Sequence, residues 1–354
     1  MKNILIINKV QFGYFTDYYK YCQYIKDEYN VTFLCFDSGL PKLEMDGVNV
    51  KYVSNRGIRL LRGIRFITRA FLKASAFKGI IFVKYFEKCQ LLKQFVPRKK
   101  MIVDIRSLSI SKNKHARMKY NKDVKMATQH FNFVTIISDD LRTQLHLDRE
   151  KSAILPLGSD IISETDKNFE TDLKLLYVGS LSGRNIEQTV LGLSIFLENN
   201  TNITDVSYDI VGDGKEIADL RNLVKKQKLN HIIKIHGRIP HFEIQPFFDN
   251  CNFGISYVPV TEYYEYQPVT KTFEYILSGM PCIATRTYEN IKVINEKNGV
   301  LCDDNPESFA IALEETFRNC KTYRSDEIRK TLGDYTWEKI VKNYLLPILN
   351  SNIG

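Results

Sequence analysis

Short apolar runs separated by stretches of helical periodicity recur through the whole of this 354-residue chain, and nothing else in it limits the possible folds as much. Residues 3–8, 31–36, 48–53, 79–84, 101–104 and 133–138 have strand length, as do 173–178, 208–214, 232–236, 253–257 and 282–284. Helical patterns lie between them, the first over 15–29. This alternation predicts an α/β fold with parallel sheets and helices on both faces. The length suits two domains of about 150 to 200 residues better than one core. The predicted division is a first domain over 1–162, a polar linker over 163–172, a second domain over 173–322 and a terminal helical segment over 323–354.

With 44% hydrophobic and 26% charged residues the chain is globular rather than disordered. No apolar run approaches the roughly 20 residues that span a bilayer. Ile4-Leu5-Ile6-Ile7 is too short for a signal sequence, so the reading is a cytoplasmic protein. Seven cysteines without a C-x-x-C pair give neither a disulfide framework nor zinc spacing, and Cys35, Cys251 and Cys282 read as small core residues. Charge is divided unevenly. Residues 1–160 carry 29 Lys and Arg against 14 Asp and Glu, a net +15, while 161–354 carry 21 against 27, a net −6. A basic half implies an anionic partner: membrane headgroups, nucleic acid or a phosphorylated substrate.

Much of that charge lies in one stretch. Arg56, Arg59, Arg62, Arg65, Arg69 and Lys73 recur every three or four residues, among Ile58, Leu61, Ile64, Phe66, Ile67, Phe71 and Leu72. From Arg56 to Lys125 only Glu87, Asp104 and Asp123 are acidic. A single-sign stripe mixed with aliphatic and aromatic residues reads as a helix for an anionic membrane surface, with Arg59, Arg62, Arg65 and Arg69 as its contacts. The alternative is a helix packed on the sheet with a wet basic face.

The chemistry points to residues 267–285. Pro268 and Thr270 open a short helix, Gly279 and Pro281 end it, and a strand follows. Lys271 stands in the first turn, where the helix dipole disfavours a cation, so an anion held there would account for it. Glu274, one turn on, is suited to the hydroxyls of a ribose. The other reading is a capped surface helix with both charges solvated. The pattern Pro-x-x-Lys-x-x-Glu-Tyr-x-x-x-Gly-x-Pro resembles the nucleotide-sugar site of retaining GT-B glycosyltransferases, which include enzymes of bacterial surface polysaccharide synthesis.

Further matches come in the family's order. Residues 154–160 resemble the segment that closes the first domain. Gly179-Ser180-Leu181-Ser182-Gly183-Arg184 follows the first strand of the second domain, Gly212-Asp213-Gly214 the next, and Gly237-Arg238-Ile239-Pro240 the third. Tyr335-Thr336-Trp337-Glu338 leads the last helix. The resemblance implies two Rossmann-like doubly wound domains facing across a cleft, with the last helix crossing back to the first. It implies that Arg184 and Lys271 neutralise a diphosphate, Lys271 replacing the cation lost at Ser180. Glu274, Thr270, Thr272, Gly179, Gly212 and Gly214 belong to the donor site, and the base packs at Gly237, Arg238 and Ile239. Gly13 is what remains of a glycine-rich first loop. Tyr266 stands where many members place a sugar-binding glutamate. Asp104, at the end of a strand of the first domain, is the candidate facing the acceptor hydroxyl, or else caps the next turn.

The implied reaction moves a sugar, with retention, from a nucleoside diphosphate to an acceptor hydroxyl, and the basic first half predicts that the acceptor is a saccharide carried on a polyprenyl diphosphate at the inner membrane face. No cofactor is called for. No D-x-D segment offers paired carboxylates to a metal, so cations and helix N-termini take its place. A nucleotide-sugar epimerase shares the fold, and a non-catalytic nucleotide-sugar binder fits the changes at Ser180 and Tyr266. A nucleic-acid-binding protein would explain the basic half, but no RRM, KH or zinc signature accompanies it, which leaves no specific nucleic-acid partner.

Overall fold

The computed structural model describes residues 1–170, 172–201, 203 and 205–351. Its contacts divide the chain into two compact units, Met1–Gly158 with the segment from Trp337 on, and Ser159–Thr336. In the first unit the strands are β1 (Lys2–Ile7), β2 (Tyr29–Asp37), β3 (Val48–Ser54), β4 (Ile80–Lys84), β5 (Met101–Ile105), β6 (Phe133–Ile136) and β7 (Ser152–Ile154). They form one parallel sheet in the order β3-β2-β1-β4-β5-β6-β7. Its helices are α1 (Thr16–Ile25), α2 (Arg59–Ala76), α3 (Gln90–Phe95), α4 (Lys114–Thr128) and α5 (Asp139–Leu145).

Ile4 to Ile7 are buried as a continuous run, as a strand covered on both faces requires. Ile7 pairs with Leu34 on one side and Val83 on the other, and the strand order reverses there. Loops at such a reversal splay apart and leave room for a ligand. On α1, Tyr18, Tyr21, Cys22 and Ile25 share the buried face. Phe66 fixes α2 by packing between Phe36 and Phe86, with ring centroids 4.5 and 5.6 Å away. The last helical segment, residues 337–351, begins with Trp337. Its indole meets Tyr21 edge-on at 5.9 Å, and a Cβ on Gly158 would come within 2.4 Å of the indole ring.

The second unit has β8 (Leu173–Val178), β9 (Val206–Val211), β10 (Ile233–Gly237), β11 (Phe253–Ser256), β12 (Cys282–Thr285) and β13 (Gly299–Cys302). They are parallel, in the order β10-β9-β8-β11-β12-β13, so the order reverses between β8 and β11. The helices are α6 (Glu187–Asn199), α7 (Ile217–Lys226), α8 (Gln245–Asn250), α9 (Thr270–Leu277), α10 (Tyr288–Val293), α11 (Pro306–Arg318) and α12 (Ser325–Thr331).

Two expected boundaries move. The described part of the 163–172 stretch packs onto the second unit rather than linking. Ser278 Oγ accepts from the Ile162 and Ser163 amides, Asn252 Nδ2 donates to the Asn168 and Asp172 carbonyls, and Phe169 is buried against Phe253 and Tyr323. The chain returns to the first unit at Trp337 and not at 323, because α12 is held by a Ser325 hydroxyl donating to the Gly279 carbonyl. Two elements are also trimmed. The basic helix starts at Arg59, leaving Arg56 outside it, and the helical stretch between β10 and β11 is a 3-10 turn at His241–Glu243 followed by α8. Among the described residues no helix is long and apolar enough to cross a membrane.

Candidate nucleotide-sugar site

The carboxyl ends of β8, β9 and β10 are tied together by backbone hydrogen bonds. Gly212 N donates to the Gly237 carbonyl at 2.8 Å, Gly179 N to Val211 at 2.9 Å and Leu181 N to Asp213 at 3.0 Å. Gly212 has to be glycine, since a Cβ there would lie 1.8 Å from the Gly179 carbonyl oxygen. A Cβ on Gly214 would meet the Ser182 amide at 2.6 Å. These glycines let three loops close into one rim, beside the strand-order reversal where open α/β sheets hold their ligands.

Helix α9 is set against that rim by Tyr275. Its hydroxyl accepts from Val178 N at 2.8 Å, and its ring covers Gly254 of β11 and stacks on Phe248. Gly279, at φ +75°, ends the helix as its position predicts. The opening turn is bare: the N-cap is Val269, with no side-chain cap, so Thr270 is an exposed first helical residue rather than a cap.

Lys271 projects from this turn to the β8 loop. It is buried, its amine lies 3.9 Å from the Tyr177 ring centroid, and a Cβ on Gly179 would sit 3.1 Å from Nζ. The amine has no hydrogen-bond partner among the described residues. Burial, reinforced by the Arg184 guanidinium and opposed by Glu274, lowers its pKa to about 7. Arg184 is placed over the Tyr264 ring, 4.8 Å from its centroid, and forms no ion pair among the described residues. Two cations thus share a rim with an uncapped helix start and no carboxylate bonded to either. Such an arrangement is suited to an anion.

The remaining candidates divide. Ser180 is exposed, its hydroxyl accepting from Ser182 N and its carbonyl from the Tyr177 hydroxyl. Glu274 lies 3.4 Å from His241 Nε2, which brings the segment after Gly237, Arg238 and Ile239 to α9. Tyr266 stacks nearly parallel on Tyr288 at 4.9 Å. Thr272 does not belong to the site. It is fully buried, its hydroxyl bonded with Ser256 and donating to Asn290, and so it joins α9 to β11 and α10. Asp104 is a correction too. It is fully buried, Oδ2 accepting from the Tyr18 hydroxyl and Oδ1 from Thr135, with Arg106 4.0 Å away, so it faces no acceptor. Arg106 is in turn paired with Asp17 at 2.7 Å. Gly13 also lies in the first unit, at φ +89° and packed against Leu43. Tyr177, Tyr264 and His241 were not foreseen. The strand position of Tyr177 marks it as core, and only the run of tyrosines at 263–266 hinted at Tyr264.

Residues 172–319 match the family described as glycosyl transferases group 1. The matched stretch lies within the second unit, Ser159–Thr336. An uncharacterized glycosyltransferase of Methanocaldococcus jannaschii is 28% identical over 232 residues, which are 61% of this chain and 59% of that protein. The match therefore spans under two thirds of that relative. Among solved structures, Anabaena HepE in complex with UDP and glucose has a TM-score of 0.77 at 13% identity, over 99% of this chain and 100% of that one. The lipopolysaccharide outer core galactosyltransferase WaaB superposes with a TM-score of 0.72 at 14% identity, again over 99% and 100%. At those identities the likeness establishes the fold. The chain has the GT-B architecture of these structures, with two parallel-sheet α/β domains.

Proposed function

We propose that this chain is a retaining, metal-independent glycosyltransferase that moves a sugar from a nucleoside diphosphate to a hydroxyl of a saccharide acceptor. The observation that carries the reading is the buried amine of Lys271 beside Arg184, with no hydrogen-bond partner among the described residues. As the bond to the sugar breaks, negative charge grows on the diphosphate, and cations already fixed in a poorly solvated place stabilise it most. Lys271, Arg184 and the first amides of α9 would share that charge. Glu274, steadied by His241, would accept from the ribose hydroxyls, and the base would lie at 237–239. The bond from C1 to the phosphate oxygen breaks as the acceptor oxygen attacks from the same side, and the acceptor proton passes to that phosphate oxygen. HepE is described with UDP and glucose, which makes uridine diphosphate sugars the first donors to try.

The test is release of nucleoside diphosphate from a panel of nucleotide sugars. Removing a charge-assisted hydrogen bond costs about 1.5 to 3 kcal/mol, so Arg184→Ala and Lys271→Ala should each lose about tenfold or more. EDTA should leave the rate unchanged. Full activity in both variants would dismiss the site, and loss of activity to EDTA with recovery on manganese would dismiss metal independence.

The acceptor reading is a polyprenyl-diphosphate-linked saccharide reached at the inner face of the membrane by a peripheral protein. Its support is α2, where Leu60, Leu61, Ile64 and Leu72 are each more than half exposed and are bordered by exposed Arg65 and Arg69. Cations near an anionic leaflet contribute roughly 1 kcal/mol each. Wild type should float with anionic vesicles, less so in high salt, and the variant with Arg59, Arg62, Arg65 and Arg69 changed to Gln should not. Equal behaviour of the two proteins would remove the membrane from the account.

A further inference from the structure

We infer that a groove between α2 and the edge strand β3 binds a phosphate group, and that its ligand is the headgroup of an anionic phospholipid. The groove encloses about 540 Å³. Lys51 of β3 and Arg65, Arg69 and Lys73 of α2 line it, and no Asp or Glu does. The three α2 residues follow at i, i+4 and i+8, which stacks them along one side of the helix, roughly 6 Å apart. Arg65 is held in place, its Nη1 donating to the Ser54 and Arg56 carbonyls, each at 3.0 Å. Lys51, Arg69 and Lys73 have no hydrogen bond or ion pair among the described residues.

Four cations around a concave surface with no carboxylate among them favour an anion there, and an oxyanion with several acceptor oxygens can engage several of them together. The groove is not only polar. Leu34, buried and paired in register with Lys51, and exposed Leu72 also line it. Leu72 continues outward into the exposed apolar residues of α2. A phosphate in the groove with an acyl chain running over Leu72 satisfies both kinds of surface, which free phosphate does not. The groove deepens the membrane reading given above and rests on it only for the source of the phosphate.

The experiment titrates wild type and a Lys51→Gln, Lys73→Gln double variant, separately, with inorganic phosphate and with monomeric dihexanoyl phosphatidic acid, and floats both proteins with vesicles of phosphatidylcholine and phosphatidylglycerol. Lys51 is exposed and Lys73 half-buried, and circular dichroism with thermal melting checks that the variant is folded. Wild type should bind the short-chain lipid at one saturable site, about tenfold or more tighter than inorganic phosphate, and the double variant should lose about tenfold or more on both probes. No saturable binding, or equal affinity in the two proteins, overturns the groove. Inorganic phosphate binding as tightly as the lipid overturns the headgroup. Saturable lipid binding by a wild type that does not float supports the groove while refuting the membrane reading of α2, so the two failures are told apart.

Discussion

Lys271 is the residue on which the proposed chemistry turns, and its lack of a hydrogen-bond partner among the described residues has a cost in stability. Its pKa is lowered to about 7, so between that value and the ordinary lysine range the unfolded chain binds more protons than the folded one. Its penalty is therefore full below pH 7 and fades as pH rises. Lys271→Met should melt at a higher temperature than wild type at pH 6, with the difference shrinking towards pH 10, and it should lose nucleotide binding at every pH. A variant melting below wild type at pH 6 would contradict the unpartnered cation. A diphosphate bound beside the amine restores its charge, so binding at pH 8 to 9 should take up a proton, read by calorimetry in buffers of differing ionisation heat. Asp104 makes the opposite case. Asp104→Ala would strand the Tyr18 and Thr135 hydroxyls and weaken the hold on Arg106, and removing one member of a buried charged network costs about 3 to 5 kcal/mol. Its effect should appear in the melting temperature and not in kcat per folded molecule. From sequence a carboxylate ending a strand looks the same whether it faces a ligand or the core, which is why this residue was misplaced.

At the level of elements, α9 was legible because proline, lysine, glutamate and glycine punctuate it at spacings that backbone physics demands, and its end at Leu277, before Gly279, agrees. Thr272 shows where such reading stops. A residue one step from Lys271 on a helix points about 100° away, and here that direction is the core. The glycines of the rim were legible only through the resemblance, and what they approach is neighbouring backbone, Gly212 that of Gly179 and Gly214 that of Ser182. Gly212→Ala forces a Cβ onto the Gly179 carbonyl, so it should destabilise the second unit by about 1 to 3 kcal/mol and weaken nucleotide binding with it. Melting and affinity both unchanged would show that the rim tolerates opening there. For α2, periodicity found the basic row, whereas the separation of outward leucines from the groove cations depends on how deeply Phe66 and Ala70 sink, which only packing decides.

Across the whole molecule, the alternation of strands and helices was enough to anticipate two parallel sheets, because parallel strands need crossovers and crossovers need helices. The joints were less legible. Polar residues at 163–172 have the composition of a linker, yet Asn168, Lys167 and Ser163 spend their polar groups on the second unit, and composition does not say whether a polar group meets water or protein. The charge asymmetry is a property of the chain as a whole, and the vesicle and groove experiments test its meaning. The central claim, that the second unit holds a nucleoside diphosphate on Lys271 and Arg184, is tested most directly by calorimetric titration with UDP, GDP and ADP near pH 7, using wild type and the two single alanine variants. The account predicts one-to-one binding of at least one nucleotide by wild type and a loss of about tenfold or more in each variant. Binding by both variants with wild-type affinity would contradict it.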